Sequence, residues 1–418
     1  MPSVEGLPAR RAALQMLDGV LRTGATLEST SGRSAGLSPP DRALALAIAG
    51  ETLRRIPDLD ELIDSATRNR LADDAKARMV LRLALAQKVG LDTPDHAVVA
   101  TALPLVDGGP RRLVHGVLGT LLRRGLPAME APRLPDGVEM RWREAWGEPV
   151  VEAARALIAR RPPLDLSFKN EAVADALIAE AGGTSLAPLH VRLDSRSVED
   201  LPGFDAGGYW VQDLAATIPG RLISSSAACV LDLCAAPGGK TMQLAAAGHD
   251  VTALDISARR LERLRANLDR TRLDAHVVTA DALEWAPEVP FDAILFDAPC
   301  SATGTFRRHP EVLYRARPAI IGEMAEFQAR LLDRASGWLR PGGTLVYSVC
   351  SLEPAEGEEV VRAFLGRNSA FHVAPPEDGE LPAFVTPGDD GCIRLLPGVL
   401  AEEGGLDGFF IARLVRGR

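Results

Sequence analysis

Apolar residues recur at helical spacing through the first part of the chain, over residues 8–130. In residues 9–17, for example, alanine, leucine and methionine return every three or four positions, a period typical of an amphipathic helix. Ser38 is an expected N-cap, because two prolines follow it where a first helical turn can begin. Alternating runs of β-branched residues are scarce here. The pattern therefore predicts an all-α domain over residues 1–130.

Short apolar runs alternate with helix-like segments from residue 229 onward. The runs that predict strands are residues 229–233, 250–254, 275–278, 291–296, 343–348, 371–374 and 408–414. Helices are predicted between them, notably at 258–269 and 323–339. This order is typical of a doubly wound, Rossmann-like α/β sheet with helices on both faces. The sequence therefore predicts an α/β domain over residues 221–418.

The segment between these regions, residues 137–220, mixes both kinds of pattern. Residues 142–160 and 171–180 have helical periodicity, whereas residues 164–168 read as a strand. The mixture predicts a small α+β insert that separates the all-α domain from the α/β domain.

Composition narrows the class of protein. The chain has 418 residues, of which 46% are hydrophobic and 25% charged, the balance of a soluble globular protein. A run of ~18 apolar residues is absent, so no membrane span is expected, and the first residues do not resemble a signal peptide. The five cysteines form no CxxC pair, which disfavours a zinc site or a disulfide framework and fits a reducing cytoplasm.

The first predicted strand of the α/β domain leads directly into a tight glycine-rich loop and the start of a helix. Glycines let a backbone approach a ligand closely, and a helix N-terminus offers free N–H groups. A cofactor site is therefore predicted in this loop. Its members are Cys234, Ala235, Ala236, Pro237, Gly238, Gly239 and Lys240.

A nucleoside triphosphate is one candidate ligand for the loop. Residues 239–241 end like a phosphate-binding loop, and Asp297 follows a strand that could hold magnesium. That motif, however, requires a glycine where Cys234 stands, and Pro237 removes a backbone donor where a phosphate needs one. A nucleotide hydrolase that uses Lys240 and Asp297 is therefore the less favoured hypothesis.

S-adenosylmethionine, a nucleoside donor, is the other candidate. Such a ligand needs an acidic residue after the second strand to hold its ribose hydroxyls, and Asp255 stands there, about 20 residues beyond the loop. Asp281, after the third predicted strand, is expected near the adenine amino group. Both carboxylates fall at the carboxyl ends of strands, where this fold binds its ligands. They favour S-adenosylmethionine as the cofactor, and no metal is expected.

Two cysteines also follow strands. Cys300 comes after the fourth predicted strand and Cys350 after the fifth, so both should face one crevice. A lone cysteine is usually a small buried apolar residue, but a pair beside a cofactor pocket favours covalent chemistry. A thiolate that adds to carbon 6 of a pyrimidine makes carbon 5 reactive towards a methyl donor. Asp297 could stabilise that adduct near N3. Strand order alone does not decide which cysteine attacks.

The motifs in this half of the chain resemble those of the Nop/Sun family of RNA 5-methylcytosine methyltransferases. The resemblance rests on residues 232–241, 297–301, 307–310 and 347–351. It implies that Cys350 is the nucleophile at carbon 6 of a cytosine and that Cys300 aids product release. It also implies cofactor contacts from the glycine-rich loop and from Asp255, Asp281 and Asp297.

The helical first part resembles the NusB-like RNA-binding domain. This domain, joined to such a catalytic core, is typical of bacterial enzymes that methylate small-subunit (16S) ribosomal RNA. The resemblance implies an RNA cytosine-5 methyltransferase whose substrate is 16S ribosomal RNA, with another ribosomal or transfer RNA cytosine as the alternative. Arg307, Arg308 and Lys169 are expected to contact the RNA, and the protein is expected to be a monomer. A non-catalytic RNA-binding factor is disfavoured, because mere binding requires neither cysteine.

Overall fold

The chain separates into two compact units. The computed structural model describes residues 5–127, 129, 131–194 and 196–418, apart from the side chains of residues 31 and 33. The helical unit comprises residues up to Arg160 together with Phe306–Arg317. The sheet unit comprises Arg161–Thr305 and Pro318–Arg418. The domain boundaries predicted from sequence, 1–130, 137–220 and 221–418, stay predictions.

The helical unit packs its helices around a continuous apolar core. Its helices in the described residues are α1 (Leu7–Thr23), α2 (Leu27–Thr30), α3 (Pro39–Ser65), α4 (Lys76–Gly90), α5 (Asp95–Ala102), α6 (Gly108–Arg124), α7 (Asp136–Trp146), α8 (Glu148–Ile158) and α13 (Val312–Arg315). Helix α4 is buried along almost its whole length and contacts α3, α5 and α6. A helix that is covered all round marks the centre of a core.

The start of α3 confirms one sequence prediction, and the break between α7 and α8 corrects another. Ser38 caps α3, because its hydroxyl accepts a hydrogen bond from the backbone N–H of Asp41 at 3.3 Å. The single helix predicted over residues 142–160 is wrong. The chain turns at Gly147, whose φ of 82° no helix accommodates, and Pro149 then lies in the first turn of α8.

The sheet unit begins with a small antiparallel sheet. Within the described ranges it has three strands, β1 (Leu164–Phe168), β2 (His190–Leu193) and β3 (Tyr209–Val211), in the order β2-β1-β3. Helices α9 (Glu171–Ala181) and α10 (Leu214–Arg221) follow β1 and β3. The strand predicted at 164–168 and the helix predicted at 171–180 are thus confirmed.

The second sheet of this unit is mixed and larger. Its strands in the described residues are β4 (Cys229–Leu233), β5 (Asp250–Asp255), β6 (His276–Thr279), β7 (Phe291–Asp297), β8 (Leu339–Val349), β9 (Phe371–Val373), β10 (Ile393–Leu395) and β11 (Phe409–Arg416). They run in the order β10-β11-β8-β7-β4-β5-β6, and β9 also pairs with β11. The helices that connect them include α11 (Gly239–Ala246), α12 (Ala258–Thr271), α14 (Pro318–Ser336) and α15 (Glu358–Arg367). The predicted Rossmann-like fold class is confirmed.

Strand direction determines where this sheet can bind a ligand. Strands β4 to β8 are parallel, whereas β11 is antiparallel to β8, β9 and β10. The chain order reverses at β4, which lies between β5 and β7. A crevice outside the carboxyl ends of the strands is expected at such a reversal. No helix in the described part of the chain has the length and apolar character needed to cross a membrane.

Candidate active site

The glycine-rich loop begins where β4 ends. The backbone N–H of Cys234, at a φ of 65°, donates to the carbonyl of Leu254 in β5 at 2.8 Å. Gly238 then turns the chain into α11 at a φ of 104°. A Cβ at this position would lie 2.8 Å from Cγ of Leu264 in α12. The turn therefore needs glycine for two reasons: the positive φ and the lack of space for a side chain. The loop therefore presents the N-terminus of α11 to the crevice.

Asp255 supports this loop from the end of β5. Only 2% of the residue is exposed, and its carboxylate accepts from the N–H groups of Ala236 at 3.2 Å and Ser257 at 2.8 Å. The guanidinium of Arg260 lies 3.4 Å from the same carboxylate and also donates to the carbonyl of Ala236.

Asp281 follows β6, and its carboxylate accepts from the N–H of Leu283 at 2.8 Å. Both predicted carboxylates thus lie at the ligand-binding edge of the sheet.

Asp232 is a buried carboxyl group to which sequence reasoning gave no role. It is fully buried in β4 and accepts the hydroxyl hydrogen of Thr241 at 2.5 Å. Its other oxygen, Oδ1, is buried with no hydrogen-bond partner among the described residues. Burial raises the pKa of Asp232 to about 7. A single acidic residue within an otherwise apolar strand was the available sequence signal.

Lys240 and Asp297 form an ion pair across the crevice. Nζ of Lys240 donates to Oδ2 of Asp297 at 2.8 Å, and the hydroxyl of Ser348 donates to Oδ1 at 3.0 Å. The ammonium also lies 5.4 Å from the ring centroid of Phe409. Burial acts to lower the pKa of Lys240, but the charge of Asp297 and its hydrogen bond outweigh that effect and raise it. Lys240 is therefore held as a cation.

The two cysteines predicted to face one crevice are in contact. Sγ of Cys300, in the loop after β7, lies 3.5 Å from Sγ of Cys350, in the loop after β8. Both residues are partly exposed. The hydrogen bond with Cys350, burial and the charge of Cys350 together raise the pKa of Cys300 well above its ordinary value. A thiol with a pKa raised in this way stays protonated at neutral pH.

Two of the remaining cysteines, Cys234 and Cys392, have surroundings that suit packing, whereas the third, Cys229, does not. Burial raises the pKa of Cys234, and burial also raises the pKa of Cys392 to about 12. Cys229 is exposed at the start of β4, away from the strand ends that form the crevice. A thiol with a raised pKa supplies little thiolate, so Cys234 and Cys392 are poor nucleophiles, and Cys229 lies outside the crevice.

Glu356 is the second carboxyl group that sequence reasoning missed. It is fully buried and contacts the serine that follows each cysteine, Ser301 and Ser351. A Cys-Ser pair follows each of two neighbouring strands, but nothing in that sequence pattern points to Glu356.

The residues predicted to contact RNA lie in both units. Lys169, in the sheet unit, donates from its ammonium to the carbonyl of Thr271. Burial lowers the pKa of Lys169, and nearby arginines act in the same direction. Arg307 and Arg308 belong to the helical unit, where Arg307 is buried and Arg308 is partly exposed. Their contacts with RNA stay predictions.

Comparison with known proteins connects this geometry to a family. Residues 222–415 match the family model described as 16S rRNA methyltransferase RsmB/F, and residues 7–123 match the NusB family. The chain is 37% identical over 396 residues to the ribosomal RNA small subunit methyltransferase B of Xanthomonas campestris, which covers 88% of this chain and 90% of that protein. The chain belongs to the 16S rRNA methyltransferase RsmB/F family.

Other relatives agree with this assignment over the full length. The protein of the same name from Pseudomonas putida is 34% identical over an alignment that covers 97% of this chain and 98% of that protein. The crystal structure of the protein PH0851 superposes with a TM-score of 0.74, at 21% identity and 98% coverage of both chains. That structural likeness shows the shared fold of a helical region followed by a Rossmann-like sheet.

As an RsmB/F-family methyltransferase, the protein uses S-adenosylmethionine, as the sequence predicted. The crevice fits this cofactor. The turn at Gly238 leaves no room for a side chain, which brings backbone close to a ligand, and the buried Oδ1 of Asp232 has an unused lone pair beside that turn. An ammonium group such as that of the methionine moiety is a suitable donor to an oxygen of this kind. The residues that would hold the cofactor are therefore the glycine-rich loop with Asp232 and Asp255.

Proposed function

We propose that this methyltransferase methylates carbon 5 of a cytosine in 16S ribosomal RNA through a covalent bond between Cys350 and carbon 6. The observation that supports it most is the contact of the Cys300 and Cys350 thiols at 3.5 Å, beside the Lys240–Asp297 ion pair. A methyltransferase that acts on a nucleophilic nitrogen or oxygen needs no such thiol pair. The relatives are named for small-subunit ribosomal RNA, which supports this substrate class.

Attack begins at the thiolate of Cys350. Cys300, which retains its proton, donates a hydrogen bond to that sulfur and stabilises its charge. The thiolate electron pair forms the Sγ–C6 bond, and the ring electrons it displaces move towards N3. Asp297 faces N3 and relays a proton to it from the Lys240 ammonium, which leaves the adduct neutral and carbon 5 electron-rich.

The cofactor, when bound, supplies an electrophilic methyl group and leaves as S-adenosylhomocysteine. Release of the product then requires carbon 5 to lose its proton and the Sγ–C6 bond to break. While Cys350 is bonded to carbon, its sulfur carries no charge, so one cause of the raised pKa of Cys300 is absent. Cys300 can then lose its proton to solvent, and its thiolate accepts the proton from carbon 5. The Sγ–C6 electron pair returns to Cys350, and N3 returns its proton through Asp297 to Lys240.

Replacement of each cysteine tests the proposal. Cys350→Ala should abolish methylation, whereas Cys300→Ala should accumulate RNA covalently attached to the protein, visible on a denaturing gel. Cys229→Ala, at an exposed position outside the crevice, is the matched control and should behave as wild type. Bisulfite sequencing of ribosomal and transfer RNA from cells with and without the gene identifies the target cytosine. Full activity of the Cys350→Ala enzyme would refute the mechanism.

A further inference from the structure

We infer that Glu356 is a positioning residue, which holds the two thiols together because one carboxylate binds the loops of both cysteines. The inference rests on the proposed two-cysteine mechanism and adds a group that does not touch the substrate. Its basis is the arrangement of hydrogen bonds beneath the crevice, in the sheet unit.

Each cysteine is followed by a serine, and both serines bind the same carboxylate. The hydroxyl of Ser351 donates to Oε2 of Glu356 at 2.5 Å, and the hydroxyl of Ser301 donates to that same oxygen. The backbone N–H of Ser301 donates to Oε1 at 2.7 Å. Because these serines are adjacent to Cys300 and Cys350, a movement of the carboxylate changes the position of both thiols.

Glu356 is itself held by its neighbours on α14 and β8. Nε2 of Gln328 donates to Oε1 of Glu356 at 3.2 Å and to the carbonyl of Pro299, in the Cys300 loop, at 2.9 Å. The hydroxyl of Tyr347 donates to the backbone carbonyl of Glu356 at 2.6 Å. The side chain and the backbone of Glu356 are thus both fixed, as a positioning group requires.

Burial of the Glu356 carboxylate between the two loops is unfavourable for folding. Transfer of an ionised carboxylate out of water disfavours folding, and the serine and glutamine donors offset that effect only in part. Burial accordingly raises the pKa of Glu356. The negative charge has an effect that a neutral amide lacks, because it is one of the causes that raise the pKa of Cys300. Glu356 therefore contributes both to the position of the thiols and to the protonation of Cys300.

Glu356→Gln keeps the shape of the side chain and removes its charge and one acceptor. With transcribed small-subunit ribosomal RNA, we expect kcat to fall about 10- to 100-fold, the cost of a small misplacement of reacting groups, while the KM for RNA stays unchanged. The fraction of RNA in the covalent adduct should rise. In the pH profile of kcat, the limb that reports the ionisation of Cys300 should move to lower pH. The variant lacks the Glu356 charge, which is one cause of the raised pKa of Cys300.

Matched variants separate this role from simple stabilisation of the fold. Glu359→Gln, at an exposed position three residues further on, should leave all these quantities unchanged. The double variant Ser301→Ala, Ser351→Ala should reproduce the rise in adduct and provides the test if Glu356→Gln does not fold. S-adenosylmethionine affinity, measured by calorimetry, should be that of wild type in every variant.

The outcomes distinguish the inference from the proposed function. A wild-type adduct fraction and pH profile in Glu356→Gln, with Cys350→Ala inactive, would overturn the role of Glu356 and leave the mechanism standing. Uniform loss of activity in proportion to loss of folded protein would overturn it as well, since that is the result of a structural role. Full activity of Cys350→Ala would overturn the mechanism itself.

Discussion

Buried charges are arranged differently in the helical unit and at the crevice of the sheet unit. In the helical unit, the fully buried Arg78 of α4 lies 3.0 Å from Asp60 of α3 and also contacts Asp64. Arg82, one turn further along α4, donates to both carboxylate oxygens of Asp60, from Nε at 2.7 Å and from Nη2 at 2.6 Å. Each cation here faces an anion, and together they join the C-terminal end of α3 to the N-terminal half of α4.

At the crevice of the sheet unit, the buried charges lie at the strand ends instead. Lys240 neutralises Asp297, but Asp232 keeps a buried oxygen with no partner among the described residues. Glu356 is satisfied by hydroxyl and amide donors from the cysteine loops. An ion-pair network in which each charge faces an opposite charge favours one arrangement of helices. A buried carboxyl oxygen that no cation or donor contacts has unused capacity for a ligand or a reacting group. The charges of the helical unit therefore serve stability, whereas those at the crevice are available for chemistry.

Removal of Arg78 should have the largest effect on stability. Arg78→Met removes a fully buried cation from two carboxylates, which then keep only Arg82 and the exposed Arg70. This change should lower the free energy of unfolding by about 3 kcal/mol. Urea unfolding at pH 7 measures this loss. Affinity for S-adenosylmethionine, measured where the variant is still folded, should not change, because the glycine-rich loop belongs to the sheet unit.

Arg70→Met is the matched control for that prediction. Its side chain is 67% exposed and lies 3.8 Å from Asp64 and 2.9 Å from Asp73. An exposed pair contributes only about 0–1 kcal/mol. Equal losses in Arg70→Met and Arg78→Met would contradict the claim that burial gives the helical network its strength.

Asp232 should make the stability of the sheet unit depend on pH. Burial raises its folded-state pKa to about 7, whereas an unfolded chain has an ordinary carboxyl pKa. The folded state therefore favours the protonated form, and this stabilisation, complete at acidic pH, is lost as the pH rises through 7. Between pH 5 and pH 8, wild type should lose about 2.5 kcal/mol that Asp232→Asn retains, because an amide does not ionise.

Urea unfolding of both proteins across that range is the measurement. Other titrating groups are common to the two chains, so the difference between their profiles isolates Asp232. Asp281→Asn, at a partly exposed carboxylate on the same edge of the sheet, should instead follow the wild-type profile. Parallel profiles for Asp232→Asn and wild type would show that Asp232 does not carry this cost.

The local elements of the sheet unit could be predicted because hydrophobic periodicity reports burial directly. The apolar runs at β4, β5 and β7 are short, continuous and separated by helical patterns, which is the pattern of a parallel sheet covered on both faces. Strand β10 was missed. It has three residues, and it exists because Ile393 pairs with Ile411 of β11, a contact that no local pattern encodes.

The residues of the candidate site also divide into those that local sequence predicts and those that depend on distant contacts or burial. Cys300 and Cys350 were found because a reactive residue type follows a strand, which is local information. Glu356 was missed because its partner Ser301 is 55 residues away, and its spacing along the chain says nothing of that contact. Asp232 was missed as a functional residue because burial, not residue type, distinguishes it from an ordinary carboxylate.

The smallest expected effect comes from a pair of glycines, one in each unit. Their alanine variants compare a backbone turn that does not support the cofactor loop with one that does. Gly24, at the end of α1, and Gly238, before α11, both have positive φ, 67° and 104°. A Cβ at Gly24 meets nothing within 4 Å, but at Gly238 it meets Leu264 at 2.8 Å. Both alanine variants should lose about 1–2 kcal/mol of stability from φ alone. Calorimetry should show weaker S-adenosylmethionine binding in Gly238→Ala only, because only there must the cofactor loop move; equal affinities would mean that the loop tolerates a side chain.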